Sequence, residues 1–359
     1  MIKVYQKYLV TSFLKTLLVV FFIFFSLVII LNIFEEVSYL RDTDTNLFFP
    51  IFLTFLNSPS IVYETFPFIF FISTQFLFIK LLDREELDIF KKVSLSNFKI
   101  ITILSVFAFL LSLLILIIFY NLSSNLKFIY LDLKNKYSKD NKYLAVVTEN
   151  GLWIKDEIDN SINIINAERI SNGILYDVTI NQFTQKYENF NNILVDEVNI
   201  MNKQWVLKNV NYSSGSSSTK KSKDVLFESN FDADQINQLF SDLSALNFIE
   251  LNKLKNDYQN IGYSVTNLNI HYHKLASYPI NLTIMTIFSC IIMLNIKRNN
   301  SKIFHLILGT FCSVVIYYIN YFSSLLGENE KMPEFLSIWL PLLIISLFCT
   351  IGLVRINEK

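Results

Sequence analysis

Six apolar runs punctuate the chain: Thr16 to Phe34, Ile61 to Leu82, Ile101 to Tyr120, Ser277 to Ile296, Ile303 to Phe322 and Phe335 to Val354. Each approaches the roughly 20 residues needed to cross the hydrocarbon core of a bilayer. They come as three, a long polar insert, and three again. Inside the insert the period drops to two: "SINII" at 161, "ILYDVTI" at 174, "NILVDEVNI" at 192 and "QWVLKNV" at 204 alternate apolar and polar positions between Asn, Gly and Asp. That spacing predicts consecutive antiparallel strands sharing one core, a sandwich or jelly-roll-like all-β domain over 121–233. Within it "SSGSSSTKKSK" at 213–223 has no apolar period and reads as a flexible exposed loop. From Asp234 the period lengthens, with Ile236, Leu239, Phe240 and Leu243 at three- and four-residue steps and then "FIELNKLKNDY". This predicts a helical connector over 234–276, either a tether or a transmitter of motion. The expected fold class is an α-helical integral membrane protein, with three spans in 1–120, three in 277–359 and an inserted all-β domain.

Between the second and third runs stands "DREELDIFKKVSLSNFKI", residues 83–100, with the charged residues Asp83, Arg84, Glu85, Glu86, Asp88, Lys91, Lys92 and Lys99. Asp83 is suited to cap a helix, with Glu86 three positions on completing a capping box, and the acidic start complements the helix dipole. Asp88 and Lys92 lie four apart in the favourable order. Leu87, Phe90 and then Val93 or Ser94 make a narrow apolar face flanked by Ile89. The segment 83–96 therefore reads as a short amphipathic helix. It is either a surface helix whose lysines meet head groups or one that docks in a groove of a partner.

Composition supports the membrane reading, since 52% of the 359 residues are hydrophobic, 34 of them Phe, and mean hydropathy is positive. The first run follows Lys3, Lys7 and Lys15, but it is longer than a signal-peptide core and no small-residue cleavage site follows, so it is a retained span. The formal net charge is zero; its distribution is more telling. With the N-terminus inside, one side holds Lys3, Lys7, Lys15, Lys80, Arg84, Lys91, Lys92, Lys99, Lys297, Arg298, Lys302, Arg355 and Lys359, and the other only Arg41 and Lys331. The positive-inside rule then puts both termini and residues 83–100 in the cytoplasm, and the insert outside.

Candidate chemistry is sparse. Cys290, Cys312 and Cys349 all fall inside predicted spans, where they act as small apolar fillers. His271 and His273 form an HxH with no adjacent Cys or Asp, short of a zinc set, and neither HExxH nor GxSxG occurs. The glycines at 151, 173, 215, 262, 309, 327 and 352 are never close enough for a Walker A loop. These absences predict no catalytic residues, metal or cofactor, and any ATP used must be hydrolysed by another chain. Basic residues hugging the membrane are explained by topology, so nucleic acid is not an expected partner.

The "EELDIFKKVSLS" segment resembles the cytoplasmic signature of the LptF/LptG lipopolysaccharide export permeases, with Glu86, Leu87, Lys91 and Ser96 in register. "YETFPFIFFISTQFLFIKLL" at 63 is similar to that family's second span, with Pro67 at its proline. "GLWIKDE" at 151 and "QWVLKNV" at 204 resemble motifs of its external domain. "HKLASYPINLTIMTI" at 273 and "SIWLPLLIISL" at 337 are similar to the start of span four and to the last span. The likeness covers essentially the whole chain, and the Trp153 context is closer to LptG than to LptF.

The resemblance implies a permease subunit of an ABC transporter in the bacterial inner membrane, its β domain in the periplasm. It extracts lipopolysaccharide and passes it to a periplasmic bridge. Implied partners are an LptB-type ATPase dimer, a paralogous LptF-type permease, and LptC-like and LptA-like bridge proteins. Glu86 would engage the ATPase with Leu87 and Phe90 packing beside it, and Glu85 and Lys91 join them as candidate coupling residues. Spans one and five would offer lipid an aromatic wall of Phe21, Phe22, Phe24, Phe25, Tyr317, Tyr318 and Tyr321; Phe24, Phe25, Asn32, Arg41, Tyr317 and Tyr321 are the candidate substrate residues. Two positions depart from the family pattern. Its signature glycine is Ser94 here, and Asn32, followed by Glu35 and Glu36, stands where G-type members carry a cation, leaving Arg41 the nearest one. The rival reading is a membrane scaffold or receptor whose external sheet binds a partner.

Overall fold

A computed structural model describes residues 3–41, 46, 48–92, 95–136, 152–158, 161–171, 173–184, 189–214, 217–221, 224–231, 233, 242–260, 264–295 and 302–357. Two compact units divide the chain, Met1–Lys127 with Thr266–Lys359, and Phe128–Val265.

The first unit is helical. Its elements are α1 (Val4–Tyr39), α2 (Phe48–Asp83), the short α3 (Glu86–Lys92) and α4 (Asn97–Leu114). A π-helical turn at Ile115–Phe119 carries α4 into α5 (Tyr120–Lys136). Six stretches among the described residues are long and apolar enough to span a membrane. They are α1, α2, the run from Asn97 to Lys134 and, after the insert, α7 (Thr266–Leu294), α8 (Lys302–Glu328) and α9 (Glu334–Asn357). At 36 residues, α1 and α2 are each about 54 Å long, beyond the ~30 Å core, so both outrun the apolar stretches that predicted them.

Lipid removes the hydrophobic drive between spans, and close packing with polar stitches takes its place. Leu9, Phe13 and Val20 of α1, Phe66, Phe70 and Phe78 of α2, Leu104 of α4 and Leu282 of α7 form the main core. A second cluster joins Phe71, Met285, Ile316, Leu342 and Cys349. Close approach is built on small residues. A side chain at Gly309 would run into the Gln75 amide, and one at Gly327 into the Ser337 hydroxyl.

Two of the four prolines inside the spans show how backbone is kept satisfied. Pro67 has no N–H for the carbonyl of Tyr63 one turn before it, and the Tyr278 hydroxyl of α7 donates to that oxygen at 2.8 Å. Pro341 likewise frees the Ser337 carbonyl, which accepts from the Ser323 hydroxyl of α8 at 2.6 Å. Each helix break is thus a helix–helix contact.

The second unit holds a seven-stranded antiparallel sheet. Its strands are β1 (Leu152–Ile158), β2 (Ser161–Ser171), β3 (Ile174–Thr184), β4 (Asn189–Asn199), β5 (Gln204–Ser214), β6 (Ser217–Lys221) and β7 (Val225–Glu228). The order is β1-β2-β3-β4-β5-β6 with β7 also on β5, a meander, and no crossover strand of a jelly roll lies among the described residues. The loop expected at 213–223 is corrected, because Ser217–Lys221 pairs with Val210–Ser214 as an edge hairpin. An edge ladder is held by main-chain bonds and needs no apolar alternation. Of the connector, 234–241 and 261–263 lie outside the described residues; between them are a 3₁₀ turn at Leu243–Ala245 and α6 (Phe248–Asn260).

Rungs of one face line up as Ile154, Ile165, Ile180, Ile193 and Tyr212, then Leu152, Ala167, Val178, Val195 and Val210. The alternation then slips. Val178 and Leu175 are buried on β3, Val195 and Val198 on β4, Val210 and Leu207 on β5, with two non-core residues between each pair. Asp177 and Asn209, in the gap, have φ of 54° and 57°. These left-handed residues crease the sheet and let one face stay apolar across the bend. Trp205 is fully buried and its indole N–H donates to the Phe231 carbonyl at 2.8 Å.

Tyr278→Phe and Ser323→Ala, which orphan proline-freed carbonyls, are expected to cost about 1–3 kcal/mol each. The measurement is thermal unfolding of the detergent-solubilised chain. Ser346→Ala, whose hydroxyl bonds only within its own helix, is the neutral control.

Candidate functional site

The short helix between the second and third spans is built differently from its sequence expectation at its start. Asp83 does not cap α3. The apolar run through Leu82 keeps α2 helical to Asp83, and the chain turns at Arg84–Glu85, where Glu85 takes φ of 56°. Asp83 pairs instead with Lys302 Nζ at the start of α8. The acidic first turn belongs to Glu86 and Asp88.

At 100° per residue, Glu86, Leu87 and Phe90 fall on one side of α3 and Asp88, Ile89 and Lys92 on the other. The first set faces inward. Leu87 is 5% exposed and belongs to the main core, and Phe90 packs half-buried against the same cluster. Glu86 Oε2 accepts from the Tyr8 hydroxyl of α1 at 2.6 Å, and the Tyr8 ring meets Phe90 edge-on at 6.4 Å. The bond is short and charge-assisted, but Tyr8 is 37% exposed and water screens it, so it orients α3 more than it stabilises the fold. The other Glu86 oxygen lies 3.8 Å from Arg84, a weaker and more solvated contact. The second set faces out, with Ile89 55% exposed. Sequence reasoning put the apolar contact of α3 on Leu87 and Phe90; the structure spends those two on the bundle and leaves Ile89 as the exposed apolar side chain. The side chain of Lys91, and Val93 and Ser94, lie outside the described residues.

The aromatic set divides between two helices that meet α2 separately. Phe24 and Phe25 are half-buried; Phe25 stacks on Phe21 at 5.8 Å, and Phe21 on Phe66 of α2 at 5.8 Å. Tyr317 leans on Phe68 at 5.3 Å and stacks with Tyr321 at 6.4 Å, both tyrosines being exposed. Asn32 is not on an open face: it is buried between α1 and α2, where its Oδ1 accepts from Asn57 at 3.4 Å. Arg41 is exposed in the turn after α1.

The histidines have structural neighbours. His271 Nε2 is 3.0 Å from the Tyr120 hydroxyl, and His273 packs edge-on to Phe335 at 5.8 Å. No group of His, Cys, Asp and Glu among the described residues could hold a metal ion. The Tyr8–Glu86 bond and the Asp83–Lys302 pair have no signal in the sequence. Tyr8 and Lys302 lie next to basic runs that topology already explains, and nothing local marks their distant partners.

A bundle of six spans, a creased antiparallel sheet inserted between the third and fourth, and a short charged helix after the second define a multi-pass membrane protein. Residues 7–355 match the family of the lipopolysaccharide export system permease LptF/LptG, and the chain belongs to that family. It is a permease component of lipopolysaccharide export in the bacterial inner membrane. No curated protein sequence matches it.

Leu87→Ala is expected to destabilise the bundle by about 2–5 kcal/mol, whereas Ile89→Ala should stay within about 0.5 kcal/mol. Denaturant titration of the purified chain in detergent separates the two.

Proposed function

We propose that this chain is one permease half of an ABC transporter that takes lipopolysaccharide from the inner membrane and hands it to a periplasmic bridge. In this reading an LptB-type ATPase dimer sits beneath α3, a paralogous LptF-type permease completes the membrane cavity, and LptC-like and LptA-like proteins receive the lipid. The termini and α3 are cytoplasmic and the β domain periplasmic, in line with the distribution of Lys and Arg. The Gly151 to Trp153 motif favours the G-type half.

The observation that carries the proposal is the two-faced α3 in a family permease. Its outer face offers Asp88 and Ile89, with the exposed Glu85 in the turn just before it, as a small apolar contact beside carboxylates to a basic-rimmed groove. Glu86 lies at the rim with one oxygen turned toward Arg84, and Leu87 and Phe90 form the pad that passes pressure inward. Nucleotide closure can shift the permease only if the ATPase contacts α3 differently in its two states, and a charged, partly apolar face supplies such a contact. Above it, the exposed aromatics of α1 and α8 would serve as the wall that acyl chains touch, since a spanning face left open must meet lipid or another helix.

With the ATPase co-expressed, Glu85→Lys with Asp88→Lys should reduce its co-purification at least about tenfold and stop lipid export, because two outward carboxylates facing a basic rim become repelling cations. Asp88→Cys should react with a membrane-impermeant thiol reagent only once the inner membrane is opened. Unchanged association in the first case, or labelling of intact cells in the second, sinks the reading.

A further inference from the structure

Two side-chain ties leave the segment Asp83–Glu86, and they go to different helices. Glu86 is bonded to Tyr8 of α1 at 2.6 Å. Asp83 is paired with Lys302, the first residue of α8. Each tie is reinforced nearby. The Tyr8 ring also touches Phe90, so α1 contacts two positions one turn apart on α3. The fully buried Gln75 of α2 donates to the carbonyls of His305 and Leu306 on α8, at 3.3 and 3.4 Å, lodged where Gly309 has no side chain.

Away from these ends α1 and α8 each keep one open face, while α1 also packs on α2 through Phe13, Val20, Val28 and Asn32. Phe22, Ile30 and Phe34 on α1 and Phe311, Tyr318 and Phe322 on α8 are each more than half exposed. At its far end α8 is held separately, Glu328 accepting from Lys274 of α7 at 2.9 Å and Ser323 donating to the Ser337 carbonyl of α9 at 2.6 Å. A stiff helix fixed at its far end and pulled at its near end tilts. The Asp83–Lys302 pair is about half exposed, too solvated to matter much for stability. Its value lies in which elements it joins.

We propose that Tyr8 and Lys302 are positioning residues of the transport cycle: Tyr8 ties α1 to α3 through Glu86, and Lys302 ties α8 through Asp83 to the last residue of α2, three residues before α3, so that a displacement of the α2–α3 turn reaches both exposed aromatic faces. This rests on α3 being the foothold of the ATPase, and adds the side chains that carry the displacement into the membrane.

The test has two arms. In the first, the chain alone in nanodiscs carries spin labels on Leu14→Cys and Asp88→Cys, with Cys290, Cys312 and Cys349 replaced by Ser, and the α1–α3 distance distribution is recorded. Tyr8→Phe, which removes only the hydroxyl, should broaden it. In the second, the complex with its ATPase is assayed for lipid released per ATP hydrolysed. Tyr8→Phe should keep the ATPase bound and hydrolysing within about twofold, while lipid per ATP falls about threefold to tenfold. Asp83→Lys should lower the same ratio, and adding Lys302→Asp should restore it by rebuilding the pair with its charges exchanged.

A distribution unchanged by Tyr8→Phe overturns the proposal, as does an unchanged ratio with the ATPase still bound, or a double charge exchange that restores nothing. Failure of the underlying reading shows earlier and elsewhere, as an unmodified chain that carries no ATPase, and it takes this proposal with it.

Discussion

In hydrocarbon no water waits to accept or donate, so every backbone group of a span must find its partner in protein, and this constraint organises the bundle. Proline makes the constraint visible. Pro67 and Pro341 each release a carbonyl one turn earlier, and each carbonyl is taken by a hydroxyl from a neighbouring helix, Tyr278 for one and Ser323 for the other. Two defects in single helices therefore become specific contacts between pairs. Ser289, which donates to the Phe71 carbonyl at 2.8 Å, works in the same way on an unbroken turn. Between these stitches the faces interlock through aromatic and branched side chains, with glycine where a polar side chain of the next helix must fit.

The end of the bundle that holds α3 follows a second logic. There the helices carry charge, water is at hand, and a contact can be made and exchanged at low cost. The inner side of α3 is committed to Tyr8, to the main core and to the end of α1; the outer side is free of such commitments among the described residues. A short helix with one face built into the spans and one face offered outward is suited to pass a displacement between them. The side-chain ties from the Asp83–Glu86 segment go to α1 and α8, the two helices that also carry the exposed aromatics Phe22, Phe34, Phe311, Tyr318 and Phe322.

The β unit satisfies its backbone by another route, a ladder running strand to strand, and so tolerates polar sequence where a span cannot. Asn163, Gln182 and Asn191 form an amide chain across β2, β3 and β4 with links of 3.0 Å each. Asp156, 1% exposed, has its oxygens satisfied by hydrogen bonds from the Ser229 hydroxyl and from the backbone and side-chain N–H groups of Asn230. The crease at Asp177 and Asn209 costs left-handed backbone at two non-glycine residues, which keeps the same face apolar on both sides of the bend.

Much of this was legible along the chain because it depends on local periodicity. Apolar runs long enough for a bilayer, two-residue alternation in the insert and the acid-to-base gradient of 83–100 are properties of neighbours in sequence, and they determined the spans, the sheet and the existence of α3. What sequence could not decide was which side of α3 faces home. Leu87 and Phe90 look equally fit for a partner or for the bundle, and only the position of α1 commits them inward and leaves Ile89 outside. Asn32 reads as a substitute at an open site, yet the packing of α2 buries it against Asn57. Asp83 has the chemistry of a cap, and it is Lys302, more than two hundred residues away, that claims it. A side chain's periodicity is set by its neighbours along the chain, whereas its partner is set by whichever element tertiary packing brings within about 3 Å of it.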